Sequence, residues 1–361
     1  MKAMVATRKG LFEFYRDQQG WHYDQISFLG DPVSMCLYDK RDGSIYAALN
    51  LGHFGVKLHR RAANSRDWVE IAVPSYPERP ADSPDKTEWK LTQIWSLACG
   101  GADRPGELWA GTLPGGLFRS SDGGLSWQLQ HGLWDKPERL SWFGGGNDVP
   151  GMHSIEIDPR NSQVITVAVS CGGIWRSEDA GLSWHSRTKG MFASYVPPEL
   201  AEDPNAQDPH SLSVCKTQPN VIWCQHHCGI WRSVDAGLSW QQIKTPDGLS
   251  DFGFNVVAHP RNPDIAWFVP MDSDQRRLPR HAALQVCLTR DAGKSFESFT
   301  QGLPQQHCYD LIYRHSFVIA DDAEHALMGS TTGNLWASAD GARSWQAIAQ
   351  NLPPIYAVRF Y

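Results

Sequence analysis

The chain has 361 residues, 41% of them hydrophobic and 20% charged, which is apolar mass enough for a large core within one domain. Its 39 acidic against 33 basic residues leave a net charge of −6, and the lack of any Lys/Arg cluster argues against nucleic acid as a partner. No apolar run is long enough for a signal peptide or a membrane-spanning helix, so the expectation is a cytoplasmic protein with no membrane partner, its eight Cys reduced thiols.

The chain opens on two short β-rich runs, 4–7 and 10–14, separated by Arg8 and Lys9 and followed by Trp21. The same order returns at 44–48, a loop ending at His53, 54–58 and Trp68. Beyond residue 90 the pattern becomes regular. Candidate strands at 95–99, 153–157, 210–214, 254–258 and 309–313 each lead a unit, and two further strands follow before a repeated eight-residue turn. The five turns occupy 120–127, 177–184, 233–240, 289–296 and 338–345, and their starts are 57, 56, 56 and 49 residues apart. A period of this size marks a repeat fold in which each unit must pack on its neighbours. Within the turn, a short Asp bonds nearby backbone N–H groups, Gly takes a left-handed angle, and a closing Trp or Phe plugs the core.

Four strands per unit make a propeller blade. Five units with the turn and two without it predict an all-β, seven-bladed β-propeller of antiparallel strands, one domain over 1–361. The last apolar run, 356–360, has no unit of its own and is expected to close the ring inside the N-terminal blade, leaving no open sheet edge.

The turn, read at 177–184 as Ser-Glu-Asp-Ala-Gly-Leu-Ser-Trp, resembles the Asp-box or BNR repeat of sialidases, sortilin-type receptors and photosystem II assembly-factor propellers. That resemblance implies that the turns lie opposite the ligand face and that their Asp residues are structural. Sialidases themselves have six blades, a Phe/Tyr-Arg-Ile-Pro motif and an Arg triad. This chain reads Ala6-Thr-Arg8-Lys-Gly10 instead, with no equivalent triad, so sialidase chemistry is not expected. End to end it is more similar to a bacterial group of seven-bladed propellers catalogued as BNR-repeat or sialidase-like glycosyl hydrolases. The similarity runs through Gly52-His-Phe-Gly55, Pro150-Gly-Met-His-Ser154, Gln207-Asp-Pro-His210, Gln225-His-His227 and Gly329-Ser-Thr-Thr-Gly333. It supports the fold and the face rather than a substrate.

In a propeller, the loops between second and third strands share a face with those linking one blade to the next. His53, His153, His210, His226, His227, His281 and His307 all map there, together with long inserts at about 74–90, 131–150 and 189–209. His153 and His210 hold equivalent positions on adjacent blades, and His226 and His227 hang from the second. With Asp208, Asp148 or Glu199 at hand, these imidazoles could take a divalent metal (Zn, Mn, Fe or Cu); the alternative is that they bond carbonyls lining the channel. The two Cys of 224–228 look metal-like, but strand alternation lets Cys224 face a core instead. Cys171 is a candidate nucleophile beside His153 or simply a small buried residue. Acid–base candidates are His307, Tyr309 and Asp310, with His53 a further imidazole. Arg8, with Lys9, Arg276, Arg277 and Arg280, could orient an anionic group.

Two functions follow from this face. One is an enzyme with a His-rich, metal-assisted pocket that hydrolyses or eliminates a small polar or carbohydrate-like substrate. The other is a non-catalytic ligand-binding or assembly scaffold. Oligomeric state is left open by the sequence.

Overall fold

In a computed structural model describing residues 1–361, the candidate strands assemble into seven four-stranded antiparallel sheets, the blades of an all-β, seven-bladed propeller. Two compact units are distinguished along the chain, residues 34–209 and residues 1–33 with 210–361.

In the first unit the blades are Val33–Tyr38, Ile45–Asn50, Val56–Arg61 and Val69–Ile71; Gln93–Cys99, Leu108–Leu113, Leu117–Ser120 and Gln128–Leu129; and Gly151–Ile157, Ile165–Ser170, Gly173–Ser177 and His185–Ser186. Ile165–Ser170 is buried at all six positions, because a blade is covered on both faces and no polar alternation is needed. Its Ile165, Val167 and Val169 pack with Trp109, Met152, Trp175 and Trp184 in one apolar cluster.

In the second unit the N-terminal blade joins Lys2–Thr7, Gly10–Asp17 and Gly20–Ser27 to the C-terminal strand Ile355–Phe360. Met4 lies opposite Arg359 and Val5 opposite Val358, so the last strand does complete the first blade, as the orphan run at 356–360 predicts. The remaining blades are Pro209–Cys215, Gln218–His226, Gly229–Ser233 and Gln241–Ile243; Gly253–Ala258, Ala266–Pro270, Val286–Thr289 and Glu297–Phe299; and Phe317–Ile319, Ala326–Gly329, Leu335–Ser338 and Gln346–Ala349.

One strand differs from its expected place. The run 309–313 is not in a sheet, and the leading strand of its blade is Phe317–Ile319. Its carbonyls find other donors: Leu311 C=O accepts from Thr331 N–H at 3.0 Å, and Ile312 C=O from the Asn255 side chain at 3.1 Å. With those acceptors used, no ladder forms.

The five repeated turns share one bonding scheme. At 177–184, the Ser177 hydroxyl donates to Asp179 Oδ1 (2.8 Å) and accepts from Gly181 N–H (2.8 Å). Ser183 N–H donates to Asp179 Oδ1 (2.9 Å), and the Ser183 hydroxyl to Oδ2 (2.6 Å). The same bonds recur on Asp122, Asp235, Asp291 and Asp340. Two consecutive residues are left-handed in each turn, so Ala180 (φ 60°) adopts the angle that its neighbour Gly181 (φ 91°) takes at no steric cost. Trp184, Trp240 and Trp345 are buried, while Trp127 and Phe296 are half-buried plugs.

Candidate metal centre

The strand Pro209–Cys215 starts beside a reverse in the chain: the short helical turn Pro204–Ala206 delivers Gln207 and Asp208 to its first residue. Asp208 and His210 are two residues apart, so their side chains leave the same side of the extended backbone. His227 follows the neighbouring strand, Gln218–His226, at the same end of that blade. The result is a group in which one ligand atom each from Asp208, His210 and His227 lies within 4.8 Å of the others. Around a tetrahedral Zn²⁺ with bonds near 2.0–2.1 Å, such atoms stand roughly 3.3 Å apart, so loading requires only a modest contraction.

Hydrogen bonds orient two of the three side chains. Asp208 Oδ1 accepts from the Ser170 hydroxyl (3.0 Å) and from Cys171 N–H (3.3 Å). His210 lies against Gly253, whose carbonyl is 2.7 Å from Nδ1; a carbonyl only accepts, so the proton sits on Nδ1 and Nε2 is the basic nitrogen. That is how metal-binding imidazoles are commonly fixed, with the second nitrogen donating to a carbonyl or carboxylate. His227 has Asp274 nearby, its Oδ2 3.6 Å from Nε2. Asp208 and His210 are buried and His227 is half-buried, so the group has two desolvated members and one accessible side. Three protein ligands with a fourth position left for water or substrate is the pattern of a catalytic rather than a structural zinc site.

A glycine loop packs on the carboxylate. A Cβ on Gly145 would come within 2.7 Å of Cys171 Sγ and 2.9 Å of both Asp208 Oδ2 and Ser170 Oγ, so a larger residue here would have to displace those groups.

The other imidazoles have different partners. His153 is fully buried; its Nε2–H donates to the Pro209 carbonyl (2.6 Å), and Nδ1 pairs with the Ser154 hydroxyl (2.9 Å). It thereby fixes the backbone between Asp208 and His210 without being one of the converging ligands. His226 Nδ1 accepts from Cys228 N–H at 3.0 Å, and its ring meets Trp231 edge-on. Cys224 and Cys171 are buried. Cys171 takes a left-handed backbone (φ 49°), which aims its N–H at Asp208.

None of His307, Tyr309, Asp310, Arg8 and His53 is among the converging ligands. His307 and Tyr309 are exposed on the strandless run ahead of the last blade. Asp310 is buried and fully engaged: it accepts from the Ser330 hydroxyl (2.6 Å), the Thr332 hydroxyl, the Asn334 amide (2.8 Å) and the Cys308 thiol (3.1 Å). Burial raises its pKa, but these donors outweigh burial and hold it below the usual carboxylate range. Asp310 is therefore an anion that ties the 330–334 loop to the 308–312 run. Burial pushes the neighbouring Cys308 thiol up to about 12, which keeps it un-ionised. Arg8 is exposed near Tyr356, whose phenol burial pushes up against the opposing Arg8 charge. His53 packs at a tilt on the exposed Phe54 ring, centroids 3.9 Å apart.

In the sequence Asp208 is one of several available carboxylates, beside Asp148 and Glu199. The signal that singles it out is its i, i+2 relation to His210 ahead of an extended strand. No helix is long and apolar enough to cross a membrane.

Fold and group together define a seven-bladed β-propeller carrying a His/Asp cluster able to hold a metal ion. Neither a family model nor a curated protein matches the chain. Among solved structures, it is similar to an ancestral GH74 enzyme (TM-score 0.59, 17% identity) over 88% of its own length but only 38% of that enzyme's. A putative 6-phosphogluconolactonase from Bacteroides fragilis aligns over 100% of this chain and 97% of its own (TM-score 0.58, 10% identity). A YCF48 structure bound to D1 peptide aligns over 88% and 82% (TM-score 0.51, 13% identity). At these identities the likenesses establish the propeller fold and no activity.

Proposed function

We propose that this protein is a metal-dependent enzyme whose ion is held by Asp208, His210 and His227, and which hydrolyses or eliminates a small polar or carbohydrate-like substrate. The observation that carries the reading is the convergence of those three ligand atoms within 4.8 Å, with Asp208 held by Ser170 and Cys171 and His210 by Gly253. A divalent ion there would act as a Lewis acid on a substrate oxygen or lower the pKa of a bound water. Asp208 supplies negative charge to the ion, and His210 presents a fixed tautomer. The Gly145 loop covers the carboxylate from one side. His307 and Tyr309, exposed on their run, are the proton-transfer candidates, and Arg8 the one for orienting an anion; Asp310 positions the run instead of donating a proton.

The repeated Ser/Thr-x-Asp turns support reading the chain as an Asp-box propeller, similar to the sialidase-like glycosyl hydrolase group. None of the eight Cys is in a disulfide, in keeping with a cytoplasmic location.

The test is metal-dependent turnover. Chelator-treated protein, reloaded with Zn²⁺, Mn²⁺, Fe²⁺ or Cu²⁺, is assayed on a panel of glycosides, lactones and sugar acids. Turnover should appear only with metal and disappear in His210→Ala. Turnover of equal rate in the chelated protein contradicts the proposal.

A further inference from the structure

The metal-centre reading leaves the substrate's charge open, and the surroundings of Phe254 address it. The His210 ring stacks nearly parallel on Phe254, centroids 4.8 Å apart at 14°. Two guanidinium groups flank that same buried ring: Arg277 Cζ and Arg314 Cζ each lie 5.7 Å from its centroid. The two cations are thus gathered within one ring's reach of a metal-ligand imidazole. An aromatic face attracts a cation but does not neutralise its charge.

The loop that bears Arg277 does not neutralise it either. Arg277 Nε donates to the Asp274 backbone carbonyl at 3.0 Å, which fixes the direction of the side chain. The Asp274 carboxylate turns to His227, and the Asp272 carboxylate pairs with Arg276 at 3.4 Å. Arg277 is exposed and makes no ion pair, while its Nε is already held. An Arg anchored at Nε with its outer nitrogens open is set to take a carboxylate or phosphate.

We propose that Arg277, with Arg314, forms an anion-binding subsite beside the His210–His227 edge of the metal centre, and that the substrate is accordingly a carboxylated or phosphorylated small molecule. The inference rests on the metal-centre reading for its meaning in catalysis, but the subsite binds its anion without the ion. The sequence places Arg277 in a basic run with Arg276 and Arg280; the structure separates it from both. Arg276 is committed to Asp272, and Arg280 donates to the Gly248 carbonyl at 2.7 Å.

The test uses metal-free full-length protein, titrated with inorganic phosphate, gluconate and neutral sorbitol and followed by calorimetry. Phosphate or gluconate should bind and sorbitol should not. Arg277→Gln should weaken anion binding at least about tenfold, the loss expected of a charge-assisted pair. Arg276→Gln, which removes the same charge from a residue already paired, should leave it unchanged. Circular dichroism of each variant establishes that the fold is retained. Equal affinity in wild type and Arg277→Gln, or equal binding of gluconate and sorbitol, overturns the proposal. His227→Ala separates the two readings: it should abolish metal uptake yet preserve phosphate binding. Phosphate binding that depends on Arg277 in a protein that takes up no metal would leave the anion subsite standing and remove the metal centre.

Discussion

Asp179 and Asp208 are both carboxylates on the residues that lead into or out of a propeller strand, and each accepts hydrogen bonds from a Ser hydroxyl and a backbone N–H. They differ in where those donors come from. Every donor to Asp179 lies within four residues of it, and both of its oxygens are used inside its own turn. Asp208 draws Ser170 and Cys171 from 38 and 37 residues away, both onto Oδ1, and its Oδ2 faces the glycine loop. A carboxylate satisfied by its own turn stabilises that turn and has little left to offer a ligand. One held by donors from a distant part of the chain, next to two imidazoles, is oriented for a third party. Asp310 is an intermediate case: three of its donors are distant and one, Cys308, is local, and between them the four consume the carboxylate in structure.

Substitutions at the two Asp residues should therefore separate affinity from stability. The largest effect is expected for Asp208→Asn, which keeps an oxygen for Ser170 and Cys171 but gives up the charge. Metal affinity should fall by at least about 100-fold, beyond the 10–100-fold typical of outer-sphere partners, with the thermal midpoint nearly unchanged. A titration showing wild-type affinity would move the ion elsewhere. Next in size is Asp179→Ala, which deletes the hub of a turn and should cost roughly 1–3 kcal/mol by denaturant melting while leaving metal uptake alone. The smallest effect is on the acid limb of stability. The Ser183 hydroxyl, then the Ser183 N–H, hold Asp179 below its ordinary value, and Asp122, Asp235, Asp291 and Asp340 are likewise lowered. A lowered folded-state pKa stabilises the protein above the unfolded value of about 3.9 and is lost as pH falls through the folded value. Stability should stay flat down to about pH 4 and decline below it, less steeply in Asp179→Ala. An equally steep decline in the variant would detach these turns from acid stability.

The same local-versus-distant distinction governs what the sequence makes legible. The turns announce themselves because all their bonds fall within eight residues, and the blade count and the seating of Ile355–Phe360 follow from repeat arithmetic. The run 309–313 has strand-like composition, but its acceptors are taken by Asn255 and Thr331, partners no local pattern reveals. His153, His210, His226 and His227 look alike in sequence. Their separation into converging ligands and backbone anchors depends on rotamers set by Pro209, Gly253 and Cys228, two of which are 56 and 43 residues from the imidazole they meet. The cations around Phe254 are likewise visible only after folding, because Arg277 comes from a loop within one blade and Arg314 from the connection to the next.

The most direct test of the metal centre is elemental analysis of the purified, untagged protein combined with X-ray absorption at the edge of whatever ion is found. The account predicts one ion per chain, with two imidazole nitrogens and at least one carboxylate oxygen at roughly 2.0–2.2 Å if the ion is zinc. That ion should be absent from the His210→Ala, His227→Ala double variant. A protein free of metal after reloading, or an ion that stays at full stoichiometry in the double variant, would contradict it.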